Sequence, residues 1–341
     1  MSQKDAYAEA GVDIEAGKQA VALMKQAVAA TYNEYVLSDS SSFGGQFALT
    51  GISADSQPLL VASTDGVGTK TIVAATLNRW DTVGQDLVNH CINDILVQGA
   101  RPLFFLDYVA SSKLEPAKIA TIVGGMAHAC QAAGVVLLGG ETAEMPGVYH
   151  AGAVDLVGTI VGIVDRKDRL DGSTIAMGDC VLAFPSTGLH TNGYTLARRV
   201  LADFDWEAPN DTLGMSIGDA LLAVHRCYWN EVQQLRQAGI EIRGLAHITG
   251  GGVYDNLPRI LPDGLGATIE RSSWQEPPIF GLLQQTGKIS DVDMFHAFNM
   301  GLGMLVVVPI AQREQALAAF PELRAVGRIV PDVEQKVVVQ S

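Results

Sequence analysis

Two mixed α/β (α+β) domains are the fold that the sequence predicts. Short apolar runs, of the length of buried strands, alternate with amphipathic helical patterns in both halves of the chain. Several of these runs end in glycine-rich polar segments, and a charged, turn-forming stretch at 165–173 separates the two halves. We therefore expect a boundary near residue 168, with an N-terminal domain over 1–168 and a C-terminal domain over 169–341.

Composition narrows the kinds of partner. The chain has 341 residues, of which 48% are hydrophobic and 18% charged, so it is long enough for two domains of ordinary size. Its net charge of −14 argues against a nucleic-acid partner, because phosphate backbones require a basic face. The cysteines are scattered without a C-x-x-C spacing, which predicts neither disulfides nor a zinc site. No signal-like leader and no apolar stretch of roughly 18 residues is visible, so we expect a cytoplasmic protein without a membrane partner.

The first elements precede the most informative motif. Apolar residues at helical spacing predict one amphipathic helix over 14–31. The polar segment 38–45 follows, and its hydroxyls and backbone amides, with Gly44 and Gly45, could close over a phosphate chain. A solvated linker is the alternative for this segment.

The string STDGVGTK at 63–70 is the most informative motif of the N-terminal half. It follows a short predicted strand, Leu59–Ala62, and precedes 71–75, which could open a helix or remain extended. A metal-bound nucleotide could use all of its polar features, which are the Asp65 carboxylate, the flexible backbone of Gly66 and Gly68, the Thr69 hydroxyl and the Lys70 cation. The alternative is an Asp-Gly turn between strands. The spacing excludes a P-loop, in which glycine and lysine are adjacent.

A carboxylate inside an apolar stripe marks the next helix, predicted over 83–98. At 100° per residue Asp94 falls about 20° from Val83, among the apolar residues of the stripe. A buried charge needs a partner, so Asp94 should face a cation, a metal or many donors. Because Mg²⁺ takes hard oxygen ligands, the sequence predicts Asp65 and Asp94 as a magnesium pair. A structural salt bridge from Asp94 to Arg101 or Lys70 is the alternative.

The rest of the N-terminal half contains a second glycine-rich segment with a carboxylate at the end of a predicted strand. The patterns predict a strand at 103–109, a helix at 116–133, a buried strand at 135–138 and another strand at 154–164. The strand at 135–138 runs into Gly139-Gly140-Glu141-Thr142. Glycines there would bring the backbone close to a ligand while Glu141 emerges at a strand end.

The C-terminal half carries two polar loops beside predicted helices. The first follows a strand at 180–184 and holds His190, Thr191 and Asn192 before a helix at 196–201. The second is Thr249-Gly250-Gly251-Gly252, which precedes a helix at 253–261 and suits a phosphate. We interpret His247, beside an apolar run, as a satisfied core histidine. The remaining predictions are one long helix at 217–237, a glycine-rich segment at 298–304, strands at 305–309, 324–330 and 336–339, and a helix at 312–319.

Four strings in one order resemble the phosphoribosylformylglycinamidine cyclo-ligases, also called aminoimidazole ribonucleotide synthetases. They are STDGVGTK (63–70), GGETAEMPG (139–147), HTNGY (190–194) and HITGGG (247–252), and the resemblance extends over nearly the whole chain. It implies an ATP-dependent ring closure that converts formylglycinamidine ribonucleotide into 5-aminoimidazole ribonucleotide, with release of ADP and phosphate. It also implies a homodimer whose N-terminal strands form a shared barrel, with ATP near a subunit boundary. Where the family segment is richer in glycine, this chain has Ser40, Ser41 and Ser42.

The resemblance also implies roles for particular residues. The Mg²⁺ ligands would be Asp65, Asp94 and Glu141. ATP would be bound by Gly44, Gly45, Asp65, Gly66, Gly68, Thr69, Lys70 and Glu141. The groups nearest the chemistry would be His190, Lys70 and Asn192, and the substrate would contact Thr191, Thr249, Gly250, Gly251 and Gly252. The sequence leaves a K⁺ requirement and the identity of the proton acceptor open.

Two relatives and one different class remain as alternatives. Selenophosphate synthetases carry a reactive cysteine or selenocysteine near the N-terminus, whereas the first cysteine here is Cys91, inside a predicted helix. Thiamine-monophosphate kinases resemble the chain only in the acidic ATP site and lack the paired HTNGY and HITGGG strings. A non-catalytic nucleotide-binding protein is the third alternative, and ATP turnover on addition of the formylglycinamidine substrate would distinguish it.

Overall fold

The computed structural model describes residues 14–38, 44–49, 56–331 and 336–340. Ser40, Ser41 and Ser42, in the segment that could close over a phosphate chain, lie outside these ranges. The chain divides into two compact units. The N-terminal unit comprises Met1–Ile95 and Arg101–Lys167, and the C-terminal unit comprises Leu96–Ala100 and Asp168–Ser341.

The N-terminal unit is a four-stranded sheet with helices. Its elements are α1 (Ile14–Ala29), β1 (Pro58–Gly66), α2 (Lys70–Leu77), α3 (Val83–Leu96), β2 (Arg101–Ser111), α4 (Pro116–Ala133), β3 (Val136–Glu144) and β4 (Val154–Asp165). The strand order is β1-β4-β2-β3. Strand β4 pairs antiparallel with both β1 and β2, whereas β3 lies parallel to β2. The edges of the described sheet are therefore β1 and β3.

The two faces of this sheet differ in burial. On β4 the buried residues alternate with partly exposed ones, as expected for a sheet packed on one side. Helix α3 packs closely on the buried face, because a Cβ on Gly158 or Gly162 would meet Leu87 or Ile95 at 3.0 and 2.6 Å. We call the other side the open face, and define it by Leu60, Phe104, Leu106, Val161 and Ile163, which are exposed or partly exposed.

The C-terminal unit is built on a six-stranded mixed sheet. Its helices are α5 (Tyr194–Val200), α6 (Ile217–Leu222), α7 (Trp229–Gln237), α8 (Gly252–Asn256), α9 (Pro278–Gly287), α10 (Asp291–Ala297) and α11 (Arg313–Ala319). Its strands are β5 (Cys180–Pro185), β6 (Pro209–Asn210), β7 (Met215–Ser216), β8 (Gly244–His247), β9 (Leu265–Glu270), β10 (Leu302–Val308), β11 (Arg324–Pro331) and β12 (Val337–Gln340). The large sheet has the order β12-β9-β11-β5-β10-β8. Strand β12 lies parallel to β9, and the other neighbouring pairs of the described strands are antiparallel. Every residue of β10 is buried, as its unbroken apolar sequence predicts.

The single long helix predicted at 217–237 is wrong. The structure has two helices, α6 and α7, separated by residues 223–228. Hydrogen bonds to the loop after β5 hold this break, because Thr187 Oγ1 donates to Val224 O at 2.5 Å and Tyr228 Oη donates to Pro185 O at 2.9 Å. The predicted apolar positions Tyr228, Val232 and Leu235 are nevertheless in the core.

The boundaries of several other elements also differ from the predictions, most of all those of β3 and of the helix after Gly251. Strand β3 does not end at Leu138 but continues through the glycines to Glu144, because it pairs with β2 as far as Ser111. The helix predicted at 253–261 is the five-residue α8 followed by a 3₁₀ turn at Leu257–Ile260, where Pro258 has no backbone N–H to continue an α-helix.

Candidate active site

Two carboxylates and a histidine lie close together where the end of β1 adjoins α3. His90 Nε2 lies 2.8 Å from Asp65 Oδ2 and 3.5 Å from Asp94 Oδ2. Ser63 Oγ donates to Asp94 Oδ2 at 3.2 Å. The side chains of Asp65 and Asp94 keep 48% and 24% of their surface exposed, so both carboxylates remain accessible to a ligand. We call Asp65, His90 and Asp94 the acidic cluster; their potential ligand atoms lie within 4.8 Å of one another.

The acidic cluster fits a hard divalent cation. Its two accessible carboxylates supply the oxygen ligands that Mg²⁺ prefers, and one or two carboxylates suffice when phosphate oxygens complete the shell. Burial alone would lower the pKa of His90, but its hydrogen bond to Asp65 and the charges of Asp94, Asp65 and Asp86 outweigh burial and raise it. Even when His90 is protonated, its single positive charge leaves the two carboxylates of the cluster with a net negative charge. That net charge favours a bound cation.

Glu141 does not join this cluster within the described part of the chain. It lies on β3, at the opposite edge of the sheet from Asp65 on β1. It also faces the other way, because Asp65, Gly158, Asp107 and Gly140 share one row of the register and Glu141 is offset by one residue. The role of Glu141 as a metal ligand therefore stays a prediction, because its position in this chain does not bring it to the acidic cluster.

Lys70 is buried in an ion pair. Its Nζ lies 2.7 Å from Asp86 Oδ2, and both side chains are completely buried. Burial lowers the pKa of Lys70, and the charge and hydrogen bond of Asp86 oppose that shift. Asp86 therefore contacts the ammonium that we predict to face phosphate, whereas the alternative considered for Asp94 was a salt bridge to Arg101 or Lys70.

The glycines of the first motif have separate structural reasons. A Cβ on Gly66 would lie 2.9 Å from Leu156 O on β4, so strand pairing alone requires glycine there. Gly68 has a φ of +55° and open space around it, which leaves the backbone of this turn accessible. Thr69 directly precedes α2 without capping it through its side chain. Two further glycines, Gly44 and Gly45, belong to the polar segment 38–45. Gly44 is exposed, and a Cβ on Gly45 would meet the side chain of Leu138.

Asp107 is a residue that sequence reasoning missed. It lies on β2 on the same face as Asp65, and its Oδ1 would be 2.1 Å from a Cβ on Gly140, so that glycine makes room for it. Burial, with a smaller contribution from the charge of Glu141, raises the pKa of Asp107 to about 7. A carboxylate within an otherwise apolar strand was the available signal.

His190 occupies a strained turn in the C-terminal unit. Its φ of +60° is uncommon for a residue with a side chain, and only 1% of its surface is exposed, although the sequence predicted a ligand-facing loop residue. His190 Nε2 accepts a hydrogen bond from Thr187 N at 3.2 Å. In the neutral imidazole Nδ1 then carries the hydrogen, so the ring can donate from Nδ1. This geometry favours a role in polarising a substrate oxygen over acceptance of a proton.

The glycine-rich segment 298–304 holds this turn in place. Asn299 is buried, donates from Nδ2 to Gly188 O at 2.9 Å, and accepts at Oδ1 from Ser186 Oγ and Gly301 N at 2.9 and 2.8 Å. A Cβ on Gly303 would lie 1.7 Å from Tyr228 Oη and 3.3 Å from His190 Cε1. Glycine at 303 is therefore required by the packing of these two rings.

The two predicted substrate loops lie together. Asn192 Oδ1 would be 3.3 Å from a Cβ on Gly250, so the 190–192 turn adjoins the 249–252 loop. Asn256, which sequence reasoning missed, ties the second loop by donating to Gly250 O and Gly252 O at 3.2 and 2.8 Å. Thr249 Oγ1 in turn donates to Asn256 Oδ1 at 3.2 Å.

Comparison with known proteins gives a family match over most of the chain. Residues 44–164 match the family model described as AIR synthase related protein, N-terminal domain, and residues 176–340 match the corresponding C-terminal domain. A phosphoribosylformylglycinamidine cyclo-ligase from Desulfitobacterium hafniense (strain DSM 10664 / DCB-2) is 50% identical over 302 residues, which cover 89% of this chain and 88% of that protein.

Solved structures of other proteins share the fold. The thiamine-monophosphate kinase from Stenotrophomonas maltophilia K279a has a TM-score of 0.67 at 17% identity, covering 93% of this chain and 96% of that one. The hydrogenase maturation protein HypE in complex with ATP has a TM-score of 0.65 at 18% identity, covering 95% and 90%. None of the described helices is both long and apolar enough to span a membrane.

Proposed function

Because the chain belongs to the AIR synthase related family through both halves, we propose how its residues divide the work of phosphoribosylformylglycinamidine cyclo-ligation. The chain is an enzyme of purine biosynthesis that forms a C–N bond. It cyclises formylglycinamidine ribonucleotide to 5-aminoimidazole ribonucleotide and uses ATP, with release of ADP and phosphate. The observation that carries this function is the 50% identity to a cyclo-ligase over 89% of the chain.

The N-terminal unit would bind the metal nucleotide. Asp65 and Asp94 would hold Mg²⁺, with His90 as the neighbour that orients Asp65 through its 2.8 Å hydrogen bond. The metal would neutralise negative charge on the ATP phosphates. The open backbone at Gly68 and the Thr69 hydroxyl would contact phosphate oxygens, and we assign the exposed Gly44 and Gly45 to the same nucleotide.

The C-terminal unit would bind and activate the formylglycinamidine substrate. ATP phosphorylates the formyl oxygen, after which the amidine-side nitrogen attacks the activated carbon and phosphate leaves. His190, donating from Nδ1, would polarise that oxygen, and Asn192 would position the reacting groups from the same turn. Thr191 and the Thr249–Gly252 loop would hold the substrate, with Asn256 keeping the loop in shape.

A homodimer would complete the nucleotide site. The open face of the N-terminal sheet exposes apolar side chains, including 63% of Leu60, and a second copy would cover them in a shared barrel. Glu141 lies on that side of the sheet, away from the acidic cluster of its own chain. We assign Glu141 of the partner subunit to the cluster, which accounts for its position on the far edge of the sheet.

Product formation tests the function. The protein with Mg-ATP and formylglycinamidine ribonucleotide should form one aminoimidazole ribonucleotide and one ADP per turnover, and omission of Mg²⁺ should stop both. Replacing K⁺ by Na⁺ in the same assay decides the K⁺ requirement. ADP formed only with thiamine monophosphate would instead identify a kinase, and ATP binding without turnover would identify a non-catalytic protein.

A further inference from the structure

A line of hydrogen bonds leads from Thr191 through two buried histidines that take no part in the proposed function above. His225 Nδ1 lies 3.2 Å from Thr191 Oγ1, and His225 Nε2 lies 3.0 Å from His247 Nε2. Both histidines are buried, and the His225 ring stacks on that of His190 with 4.0 Å between centroids. The break between α6 and α7 is what places His225 here, since residue 225 lies within it.

The position of one shared proton links His225, His247 and Thr191. A neutral imidazole carries one N–H, so two neutral histidines joined nitrogen to nitrogen share one proton between their Nε2 atoms. When His225 Nε2 holds it, His225 Nδ1 is an acceptor and the Thr191 hydroxyl donates to it. When His247 Nε2 holds it, His225 Nδ1 carries a hydrogen and donates to Thr191 Oγ1. The tautomer of the pair therefore decides whether Thr191 offers a lone pair or a hydrogen to a ligand.

We propose that His225 is a positioning residue that, together with His247, orients the Thr191 hydroxyl and conducts away the proton released in ring closure. The proposal rests on the proposed function, and it supplies the acceptor that His190 does not provide, because Thr187 N already donates to His190 Nε2.

The proton transfer balances along this line. The attacking nitrogen gives its proton to Thr191 Oγ1 as the C–N bond forms. The Thr191 hydroxyl proton passes to His225 Nδ1, and the His225 Nε2 proton passes to His247 Nε2. Thr191 and His225 each gain and lose one proton, so both end neutral, and the positive charge rests on His247.

Two substitutions at one position separate the two contacts of His225. An asparagine amide lies near the position of a histidine Nδ1, and a glutamine amide lies near that of Nε2. His225→Asn should therefore keep a polar group at Thr191 and lose contact with His247, whereas His225→Gln should do the reverse. Because the relay needs both contacts, we expect each variant to lower kcat roughly 10- to 100-fold with substrate KM within about twofold.

The control and the contrary results are specific. His128→Asn, at an exposed histidine of α4, should leave kcat unchanged. A wild-type kcat in either His225 variant would overturn the relay, because it would show that one of the two contacts is dispensable. Urea unfolding of each variant separates a loss of kcat from a loss of fold.

A spectroscopic measurement on the unaltered enzyme keeps the two proposals apart. With ¹⁵N-labelled histidine, we expect a through-hydrogen-bond ¹⁵N–¹⁵N coupling between the Nε2 atoms of His225 and His247, lost in His225→Asn. Normal turnover without this coupling would overturn the relay alone. Coupling without turnover of the formylglycinamidine substrate would overturn the proposed function and leave the coupled histidine pair standing.

Discussion

Asp94 carries a charge that the helix around it does not explain. It belongs to the apolar stripe of α3, yet it faces His90 and Ser63 and keeps 24% of its side chain exposed. Asp94→Asn retains the shape and one acceptor oxygen but removes the charge that a metal needs. We expect Mg-ATP turnover to be abolished while the thermal midpoint changes little, as measured by coupled ADP release and thermal unfolding.

The control for Asp94 is a carboxylate of the same unit outside the acidic cluster. Asp81→Asn, at an exposed position just before α3, should keep wild-type turnover. Near-normal activity of Asp94→Asn at saturating Mg²⁺ would show that Asp94 does not bind the metal.

Asp107 makes stability depend on pH in a predictable direction. Burial raises its pKa from 3.8 to about 7 in the folded protein, so the folded state keeps a proton that the unfolded state releases. The stability from this group is complete below about pH 4 and is lost as pH rises through about 7, which amounts to a few kcal/mol. Asp107→Asn should therefore gain stability over wild type at pH 8 and much less at pH 5. Urea unfolding in EDTA at both pH values measures this difference, and an equal effect at both would contradict the assigned ionisation.

His190 is expected to act on the reaction more than on binding. If it polarises the formyl oxygen, His190→Ala should lower kcat at least ~100-fold while ATP still binds. Because residue 190 has a positive φ, His190→Asn is the companion variant, since asparagine tolerates that conformation. A kcat kept in both variants, with a raised substrate KM, would place His190 in substrate binding alone.

At the scale of single elements, the loop before α8 offers a test at one glycine. Gly251 and Gly252 have φ values of +87° and +59°, and a Cβ on either would lie within 2.3 Å of Asp255 Oδ2 or 1.8 Å of Phe295 O, so substitutions there would disturb the fold. A Cβ on Gly250 would meet only Asn192 Oδ1, at 3.3 Å. Gly250→Ala should therefore raise the KM for the formylglycinamidine substrate several-fold more than the KM for ATP.

The matching control is Gly281→Ala in α9, where the added Cβ would have no heavy atom within 4 Å apart from its own stretch of helix. It should change neither KM, since alanine is the better helix residue. Equal increases of both KM values in Gly250→Ala would mean that the loop serves ATP or the fold.

The elements show how far local sequence determines structure. Helix α4 begins and ends where its pattern predicts, at Pro116 and Ala133, and β10 is buried throughout. The break at 223–228 escaped prediction because its apolar spacing continues without interruption, while the hydrogen bonds that fix it come from the distant loop after β5. The pairing of Lys70 with Asp86 was missed for the same reason, since sequence supplies the two charges but not their distance.

The residues of the candidate site show the same difference between local pattern and distant contact. The string at 63–70 indicated Asp65, the apolar stripe of the next helix indicated Asp94, and the structure places both at His90. The supporting residues Asp107, Asn256 and Asn299 were missed because each acts on a neighbouring loop or strand through contacts that no spacing rule encodes. Their signal was a polar residue in an apolar or glycine-rich setting, which shows that a partner is needed but not which partner.

At the scale of the whole molecule, the open face of the N-terminal sheet predicts self-association. We expect light scattering to give a native mass of twice 36.1 kDa. Leu60 lies in the edge strand β1 and exposes 63% of its surface, so Leu60→Glu should bring an unpaired charge into the interface and yield monomers. A fully active monomer at every concentration would contradict the dimer. Leu317→Glu in the C-terminal unit is unsuitable as a control, because Leu317 packs on the core and its substitution would disturb the fold.

Mixed dimers decide whether each nucleotide site takes residues from two chains. Asp94→Asn and Glu141→Gln should each be inactive alone. If a site combines Asp94 of one chain with Glu141 of the partner subunit, a dimer of the two variants contains one doubly altered site and one intact site. Because random pairing makes half of the dimers mixed, co-expression should restore about a quarter of wild-type activity. If both residues served the same site from one chain, every site in the mixture would carry one substitution, so an inactive mixture would assign Glu141 to its own chain or away from the metal.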